Sequence, residues 1–311
     1  MQSARLGSSD LEVSRVGLGC NNFGMRCDQE QTSRVVERAL DLGVTLFDTA
    51  DVYGGQGKSE EFLGKALGFR RKQIVLATKF GAPMGQGLMG ARGSYIVRAV
   101  EASLTRLGTD YIDLYQLHFP DATTPIEETL RALDECVRAG KVRYIGCSNF
   151  SGWQLVESLW TSKAGGLAAF ITAQNQYSLL DRRIERELAE ACKKYSVGIL
   201  PYFPLASGLL TGKYQRGAEL PKGTRLAMMG ARADRFLNDR NMATVEKLQS
   251  YAESRGHTLL ELAFSWLTSQ SYVPSVIAGA TRPEQLDANV NAANWQLSAE
   301  EMSEVDKLTK S

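Results

Sequence analysis

The sequence predicts an α/β fold, a (β/α)8 TIM barrel with an N-terminal β-hairpin and long loops at the carboxyl ends of the strands. The 311 residues contain eight short stretches rich in Val, Ile and Leu, the composition of parallel strands buried on both faces. Stretches whose apolar residues recur at helical spacing lie between successive strands. No Pro/Ser-rich linker or internal repeat divides the chain, so we expect a single domain over residues 1–311.

The first half of the chain predicts the hairpin and four strand–helix units. A turn at Gly7–Asp10 centres the hairpin over residues 4–14. Glycines at positions 43, 108 and 140 follow three of the predicted helices, and Thr124 is expected to cap the fourth, with Pro125 at its first position. The strands are expected at 16–19, 44–48, 74–79 and 112–118, and the helices at 28–42, 59–67, 94–107 and 125–139.

The second half predicts the remaining strands and two long loops. The strands are expected at 142–147, 170–173, 197–200 and 275–278, and the helices from 151, at 181–195 with Asp181 as cap, 240–255, 258–269, 283–292 and 298–309. A Gly-rich loop is expected at 81–87 and a Gly- and Arg-rich one at 206–239. Irregular loops this long are usually functional.

Charge and cysteine usage exclude several classes of protein. The formal net charge is +1 with both signs interspersed, which gives no arm for nucleic acid and no patch for a membrane surface. Five widely spaced cysteines and two histidines favour reduced thiols over a disulfide framework or a metal site. With no apolar leader or spanning run, we expect a cytoplasmic protein; the sequence leaves its oligomeric state open.

Four chemically active side chains arrive at or just after predicted strand ends. Asp48 and Tyr53 follow one strand, Lys79 ends the next, and His118 ends the one after that. Because the carboxyl ends of neighbouring parallel strands meet at one face, these groups can converge there. Each residue alone is more often structural; the set of four in one context is what favours catalysis.

The four residue types fit the protonation of a carbonyl oxygen. A phenol with a pKa of about 10 is a poor acid at neutral pH. A nearby ammonium lowers that pKa, and a carboxylate can hold the ammonium in place. An imidazole can orient or polarise a carbonyl.

Several motifs together resemble the aldo-keto reductase superfamily. They are Asp48-Thr49-Ala50 with Tyr53-Gly54, Ala77-Thr78-Lys79, Leu117-His118 with Pro120-Asp121, and Gly146-Cys147-Ser148-Asn149-Phe150. The resemblance runs in order from Leu6 to about Leu308. It implies a (β/α)8 barrel, a nicotinamide cofactor and a catalytic tetrad of Asp48, Tyr53, Lys79 and His118.

The loops after the seventh and eighth strands are the expected phosphate sites, as is common in such barrels. The first offers backbone and charge through Pro204, Leu205, Ser207, Gly208, Leu210 and Lys213. The second opens a helix beside Arg282, although an ordinary capped helix with a surface Arg fits equally well. A Rossmann site is disfavoured, because Asn22 stands where the third glycine of its fingerprint belongs.

The resemblance adds cofactor and substrate contacts. It implies that Tyr202 stacks on the nicotinamide, that Ser148, Asn149 and Gln174 bind its carboxamide, and that Gly279, Thr281, Arg282, Gln285 and Asn289 hold the adenosine phosphate. Thr281 stands where the family commonly has Lys, so Arg282 is the main cation for a 2′-phosphate; NADPH is favoured, and NAD is less favoured. Expected substrate-pocket walls are Phe23, Phe119 and Phe150, with parts of 81–93 and 206–240.

The resemblance leaves the function open between two classes. The first is reduction of a small aldehyde or ketone, or its reverse, with Tyr53 as general acid/base. The alternative is a redox-sensing, cofactor-binding subunit with little turnover. Arg92, Arg225, Arg232 and Arg235 could meet an anionic substrate, although a solvated basic loop is favoured.

Overall fold

The computed structural model describes residues 1–85 and 87–309, and its strands form a hairpin and a barrel. The hairpin is antiparallel and consists of β1 (Ser3–Arg5) and β2 (Glu12–Ser14). Eight further strands follow, β3 (Val16–Gly19), β4 (Leu46–Asp48), β5 (Val75–Phe80), β6 (Ile112–Leu117), β7 (Val142–Ser148), β8 (Phe170–Gln176), β9 (Gly198–Tyr202) and β10 (Val276–Gly279). They pair in parallel in the order β10-β3-β4-β5-β6-β7-β8-β9, and β9 lies beside β10. The predicted (β/α)8 barrel is confirmed.

Helices connect the strands around the outside of the barrel. They are α1 (Gln29–Asp41), α2 (Tyr53–Gln56), α3 (Lys58–Leu67), α4 (Gly93–Leu107), α5 (Ile126–Arg138), α6 (Gly152–Gly165), α7 (Leu188–Tyr195), α8 (Asp239–Glu253), α9 (Leu259–Thr268), α10 (Pro283–Ala292) and α11 (Ala299–Thr309). Three of them begin at capping boxes, in which Asp28, Ser151 and Thr258 accept a backbone N–H from the third helical residue. No helix among the described residues is long and apolar enough to cross a membrane.

Two apolar clusters divide the core. The larger one fills the space between the strands and the surrounding helices. The smaller one lies inside the barrel, where Leu6, Leu11 and Val13 of the hairpin segment pack against side chains of the strands, among them Leu46 and Leu200. The hairpin therefore closes the amino-terminal end of the barrel, and the carboxyl ends of the strands are left as the open face.

Three local expectations differ from the structure. Thr124 does not cap α5, because its hydroxyl donates instead to Asp121, and Pro125 holds the cap position without a side-chain bond. The helix expected at 181–195 is broken at Glu187, which separates a 3₁₀ turn, Arg183–Arg186, from α7. Residues 174–176 extend β8 because they pair with 200–202 of β9.

The two long loops are only partly irregular. The segment 206–239 contains the 3₁₀ segments Ala206–Thr211 and Ala227–Ala233 and, at its end, the first residue of α8. In the loop expected at 81–87, the residues on either side of Gln86 form turns, and Gln86 itself lies outside the described residues.

Gly7 provides a test of how the hairpin seats in the barrel. Its φ is +58°, and a Cβ there would lie 2.1 Å from the carbonyl oxygen of Ile171. We expect Gly7→Ala to lower the free energy of unfolding by more than the roughly 1 kcal/mol that Ala incurs from a positive φ alone. Gly43→Ala is the matched control, since Gly43 has φ +74° and open space around it. Urea unfolding of both variants is the measurement, and equal losses would contradict the close seating.

Candidate active site

A buried ion pair lies at the carboxyl ends of β4 and β5. The Lys79 ammonium donates to Asp48 Oδ2 at 2.6 Å and to the backbone oxygen of Thr49 at 2.8 Å. Lys79 is fully buried and Asp48 is 3% exposed. A buried charge is stable only when paired and hydrogen-bonded. Burial lowers the pKa of Lys79, but Asp48 and Tyr53 together raise it by more, so Lys79 is an ammonium at neutral pH.

Two amides from across the barrel complete the coordination of Asp48. Gln174 Nε2 of β8 donates to Asp48 Oδ1 at 2.8 Å, and Gln116 Nε2 of β6 donates to the same oxygen at 3.3 Å. Asp48 is therefore held from three other strands. Gln116 did not stand out in the sequence, because a buried polar residue inside a strand resembles an ordinary core amide. Gln174, expected at the nicotinamide, is bonded here to Asp48.

Tyr53 begins the short helix α2 immediately beyond β4. Gly54 has φ +72°, and a Cβ there would lie 2.6 Å from the Phe23 carbonyl oxygen, so this turn requires glycine. The turn places the Tyr53 ring centroid 5.0 Å from the Lys79 ammonium. Burial raises the pKa of the Tyr53 phenol, and the nearby ammonium opposes but does not overcome that rise. Lys79 therefore lowers the pKa of Tyr53 as expected, but the net pKa is above its ordinary value because burial raises it more.

His118 completes the group as a neutral imidazole. Burial first, and the Lys79 charge second, lower the pKa of His118 to about 3. Its ring meets that of Tyr53 edge-on at 5.7 Å and stacks on Phe119 at 4.8 Å. Nδ1 has no hydrogen-bond partner among the described residues. As a neutral imidazole at the cavity wall, His118 can donate one ring N–H to a ligand without carrying a charge.

A cavity of about 890 Å³ opens above these residues, and Asp48, Tyr53 and His118 form part of its lining. Lys79 lies beneath the surface of this cavity. Most of the expected cofactor residues also line it: Ser148, Asn149, Gln174, Tyr202, Pro204, Leu205, Ser207, Gly208, Lys213, Gly279, Thr281, Arg282, Gln285 and Asn289. Leu210 is fully buried and is absent from the lining.

The expected aromatic walls separate in the structure. Phe119 is 48% exposed and lines the cavity. Phe23 is fully buried in the core, where its carbonyl rather than its ring supports the Tyr53 turn. Phe150 is buried and lines a second, smaller cavity on the other side of Tyr202. No described residue of 81–93 lines the main cavity. The prediction that Phe23 lines the substrate pocket is wrong. The polar residues around Phe23 in the sequence gave no sign that its side chain belongs to the core.

A hydrogen-bonded chain joins the residues expected at the nicotinamide. Tyr202 OH donates to Asn149 Oδ1 at 2.7 Å, and Asn149 Nδ2 donates to Ser148 Oγ at 3.0 Å. Ser148 Oγ in turn donates to the backbone oxygen of Gln174 at 2.8 Å. Asn149 adopts φ +62°, a conformation that Asn tolerates better than most residues. The chain fixes the orientation of several polar groups along one wall.

Cationic side chains also line the cavity. Lys213, Arg225 and Arg282 line it, and none of them forms an ion pair with a described carboxylate. Gly208 has φ +98°, and a Cβ there would lie 3.0 Å from the Lys213 ammonium, so glycine leaves room for that side chain. Arg225 stacks over the Phe203 ring at 4.5 Å. Of the four arginines considered for an anionic substrate, Arg225 alone lines the cavity within the described residues.

Several lining residues were not predicted from the sequence. Asn21, Asn22 and Arg26 follow β3, and Phe203 follows β9. The available signal was the polar turn Asn21–Asn22 at a strand end, the position from which the catalytic candidates were chosen. Arg26 Nη2 donates to the Gly223 carbonyl at 3.5 Å, which brings two distant loops together over the cavity.

Metal and disulfide chemistry have no support within 1–85 and 87–309. No group of three or more potential ligands there could hold a metal ion. All five cysteines are buried and unpaired. Burial raises the pKa of the Cys20 thiol, which lines the cavity, well above its ordinary value. Cys20 is therefore a thiol rather than a reactive thiolate.

Comparisons with known proteins agree with this geometry. The family model described as Aldo/keto reductase family matches residues 15–310. The "Probable voltage-gated potassium channel subunit beta" of Arabidopsis thaliana is 38% identical over 303 residues, covering 94% of this chain and 92% of the relative. The "L-glyceraldehyde 3-phosphate reductase" of Escherichia coli (strain K12) is 34% identical over 324 residues, covering 99% and 92%. The "Aldo-keto reductase YhdN" of Bacillus subtilis (strain 168) is 35% identical over 317 residues, covering 99% and 93%. This chain belongs to the aldo/keto reductase family of oxidoreductases.

Proposed function

We propose that this protein reduces an aldehyde or ketone with hydride from NADPH, and that Tyr53 is the general acid. One observation carries the proposal: the buried Lys79–Asp48 pair lies beside the Tyr53 phenol at the wall of a cavity whose lining also includes polar groups and unpaired cations. An ordinary structural ion pair does not require a phenol and a neutral imidazole at its edge.

The cavity fits a phosphorylated dinucleotide by the chemistry of its donors. Lys213, Arg225 and Arg282 supply positive charge that no described carboxylate neutralises. Ser207 has φ +61° and Gly208 has φ +98°, which turns a short stretch of backbone toward a ligand. Arg282 also stands at the amino terminus of α10, where the helix dipole favours an anion. Asn149, Ser148 and Tyr202 would hold the other end of the cofactor.

In this assignment the bound nicotinamide supplies the hydride, and the protein supplies the proton and the geometry. Tyr53 keeps its proton at neutral pH because burial raises its pKa. When the phenol gives that proton to the carbonyl oxygen, the Lys79 ammonium stabilises the phenolate that forms. Asp48 keeps the ammonium charged and in position.

His118 and Phe119 orient the substrate in this proposal. A neutral imidazole can donate a hydrogen bond to the carbonyl oxygen without competing with Tyr53 as an acid. The exposed Phe119 ring, stacked on His118, offers an apolar wall beside the reacting group. Water is displaced from this wall when a substrate covers it, which strengthens the polar contacts.

A second candidate is a cofactor-binding regulatory subunit with little turnover. The observation that favours it is the similarity to the relative named as a probable potassium channel subunit beta. Purified protein assayed with NADPH and a panel of 4-nitrobenzaldehyde, methylglyoxal and glyceraldehyde separates the two candidates. Tight NADPH binding without turnover favours the regulatory role.

Tyr53→Phe removes the proton donor and leaves the ring in place. We expect kcat for 4-nitrobenzaldehyde to fall by about 10²–10⁴-fold, the usual contribution of positioned acid–base catalysis. The dissociation constant for NADPH should change little, because Tyr53 is not among the cofactor's expected contacts. Tyr144→Phe is the matched control, since the Tyr144 hydroxyl bonds to Asp10 of the hairpin turn. Unchanged turnover in Tyr53→Phe would defeat the assignment.

Arg282→Gln tests the preference for NADPH. The variant removes an exposed cation that forms no ion pair with a described carboxylate, and it keeps a polar side chain. Charge-assisted hydrogen bonds contribute about 1.5–3 kcal/mol, so we expect KM for NADPH to rise by roughly 10–100-fold. KM for NADH should rise much less. Arg34→Gln, which breaks only a surface pair with Glu30, is the control. A parallel rise for both cofactors would show that Arg282 does not read a 2′-phosphate.

A further inference from the structure

A second buried polar layer lies outside the barrel wall, behind the backbone of Lys79. It is formed by the loop after β4, by β5 and β6, and by α3 and α4. Its members, here called the Asp51 layer, are Asp51, Glu60, Thr78, Tyr95, Arg106 and Tyr115. Neither the family resemblance nor the proposed mechanism uses them.

Glu60 is fully satisfied within this layer. The Thr78 hydroxyl donates to Glu60 Oε1 at 2.6 Å, and Arg106 Nε donates to Glu60 Oε2 at 2.7 Å. Glu60 is completely buried, and the Arg106 side chain is 18% exposed. Arg106, the cation of the layer, is therefore already paired with Glu60.

Asp51 has no cationic partner among the described residues, although its side chain is hydrogen-bonded to the Tyr95 hydroxyl. It is 2% exposed, forms no ion pair with a described cation, and its Oδ1 has no hydrogen-bond partner. The Tyr115 hydroxyl, also buried, likewise lacks a partner among the described residues. An ionised carboxylate without a cation is costly in such surroundings, whereas a protonated carboxyl can donate to a hydroxyl.

The charges facing Asp51 favour the protonated form. Glu60 faces it from α3, Tyr95 and Arg106 from α4, Tyr115 from β6, and Lys79 from β5. Burial first and Glu60 second raise the pKa of Asp51 to about 7, against the opposing charges of Arg106 and Lys79. Arg106 is already paired with Glu60, and Lys79 with Asp48. The charges of the layer therefore balance only while Asp51 is protonated.

Two contacts connect this layer to Tyr53. The Asp51 backbone N–H donates to the Lys79 carbonyl at 3.0 Å, and Tyr53 follows two residues later. Arg106 lies against Gly57, where a Cβ would be 2.4 Å from Arg106 Cδ. Gly57 ends the short helix α2 that begins with Tyr53. A shift of Arg106 from Glu60 toward Asp51 would therefore disturb the packing that holds α2 in position.

We propose that protonated Asp51 is a positioning residue, which leaves Arg106 on Glu60 and so holds α2 and Tyr53 beside Lys79, and that loss of its proton lowers turnover. The proposal rests on the proposed carbonyl reduction. Ionised Asp51 competes for Arg106 and loosens the Tyr53 turn. It also adds a negative charge near Lys79, which makes the Tyr53 phenol a weaker acid.

The test is the pH profile of kcat with saturating NADPH and 4-nitrobenzaldehyde. In the wild-type protein we expect kcat to fall at least about tenfold as the pH rises through a midpoint near 7. A small misplacement of a catalytic group can lower the rate by up to about 10²-fold. Asp51→Asn keeps an uncharged side chain of the same shape, so this fall should disappear. Asp110→Asn, at an exposed carboxyl, is the matched control and should retain it.

Each outcome decides a different point. A fall near pH 7 that persists in Asp51→Asn, or a wild-type profile without it, overturns the role of Asp51 and leaves the proposed function intact. A wild-type protein without turnover contradicts the proposed function itself. In that case, or if Asp51→Asn does not fold, the Tyr53 ring signal of ¹³C-tyrosine-labelled wild-type protein, assigned with Tyr53→Phe, is followed by NMR. Movement with a midpoint near pH 7 supports the coupling, and a stationary signal overturns it.

Discussion

The ion pair between Lys79 and Asp48 is the interaction on which the rest of the site depends. Two buried charges persist only because each is hydrogen-bonded, Lys79 to Asp48 and Thr49, and Asp48 also to two amides from β6 and β8. The barrel makes this arrangement available, since neighbouring parallel strands deliver their last side chains to one face. Tyr53 and His118 acquire their chemical character from this buried ammonium.

Opposing effects determine the protonation states around that ammonium. Burial outweighs the Lys79 charge at Tyr53 and keeps the phenol protonated, whereas burial and the same charge act together at His118 and keep it neutral. Two glycines allow the backbone to adopt this arrangement. Gly54 permits the turn that carries Tyr53, and Gly208 leaves room for the Lys213 side chain. A protonated phenol, a neutral imidazole and several cationic side chains therefore share one cavity. In the Asp51 layer behind this cavity, burial and neighbouring charges likewise compete to determine a protonation state.

Strand-end positions made much of this arrangement predictable from the sequence. Asp48, Lys79 and His118 follow apolar stretches directly, so the eight-fold alternation alone places them on one face. Side chains that depend on local turns were not predictable in this way. Phe23 follows β3 in a polar turn yet points into the core, and Thr124 bonds to Asp121 instead of capping α5. Tertiary packing alone gives Gln116 its bond to Asp48 and leaves Asp51 without a cation. Periodicity cannot reveal such contacts, because it reports burial and not neighbours.

Deuterium transfer from labelled cofactor tests the central claim most directly. NADPH carrying deuterium at C4, prepared separately in each of its two stereochemical forms, would be incubated with the protein and 4-nitrobenzaldehyde. The account predicts that one form gives 4-nitrobenzyl alcohol with deuterium on the carbinol carbon, detected by mass spectrometry, and that the other gives unlabelled alcohol. Alcohol without deuterium from either form, or no alcohol despite bound NADPH, would contradict hydride transfer at this site.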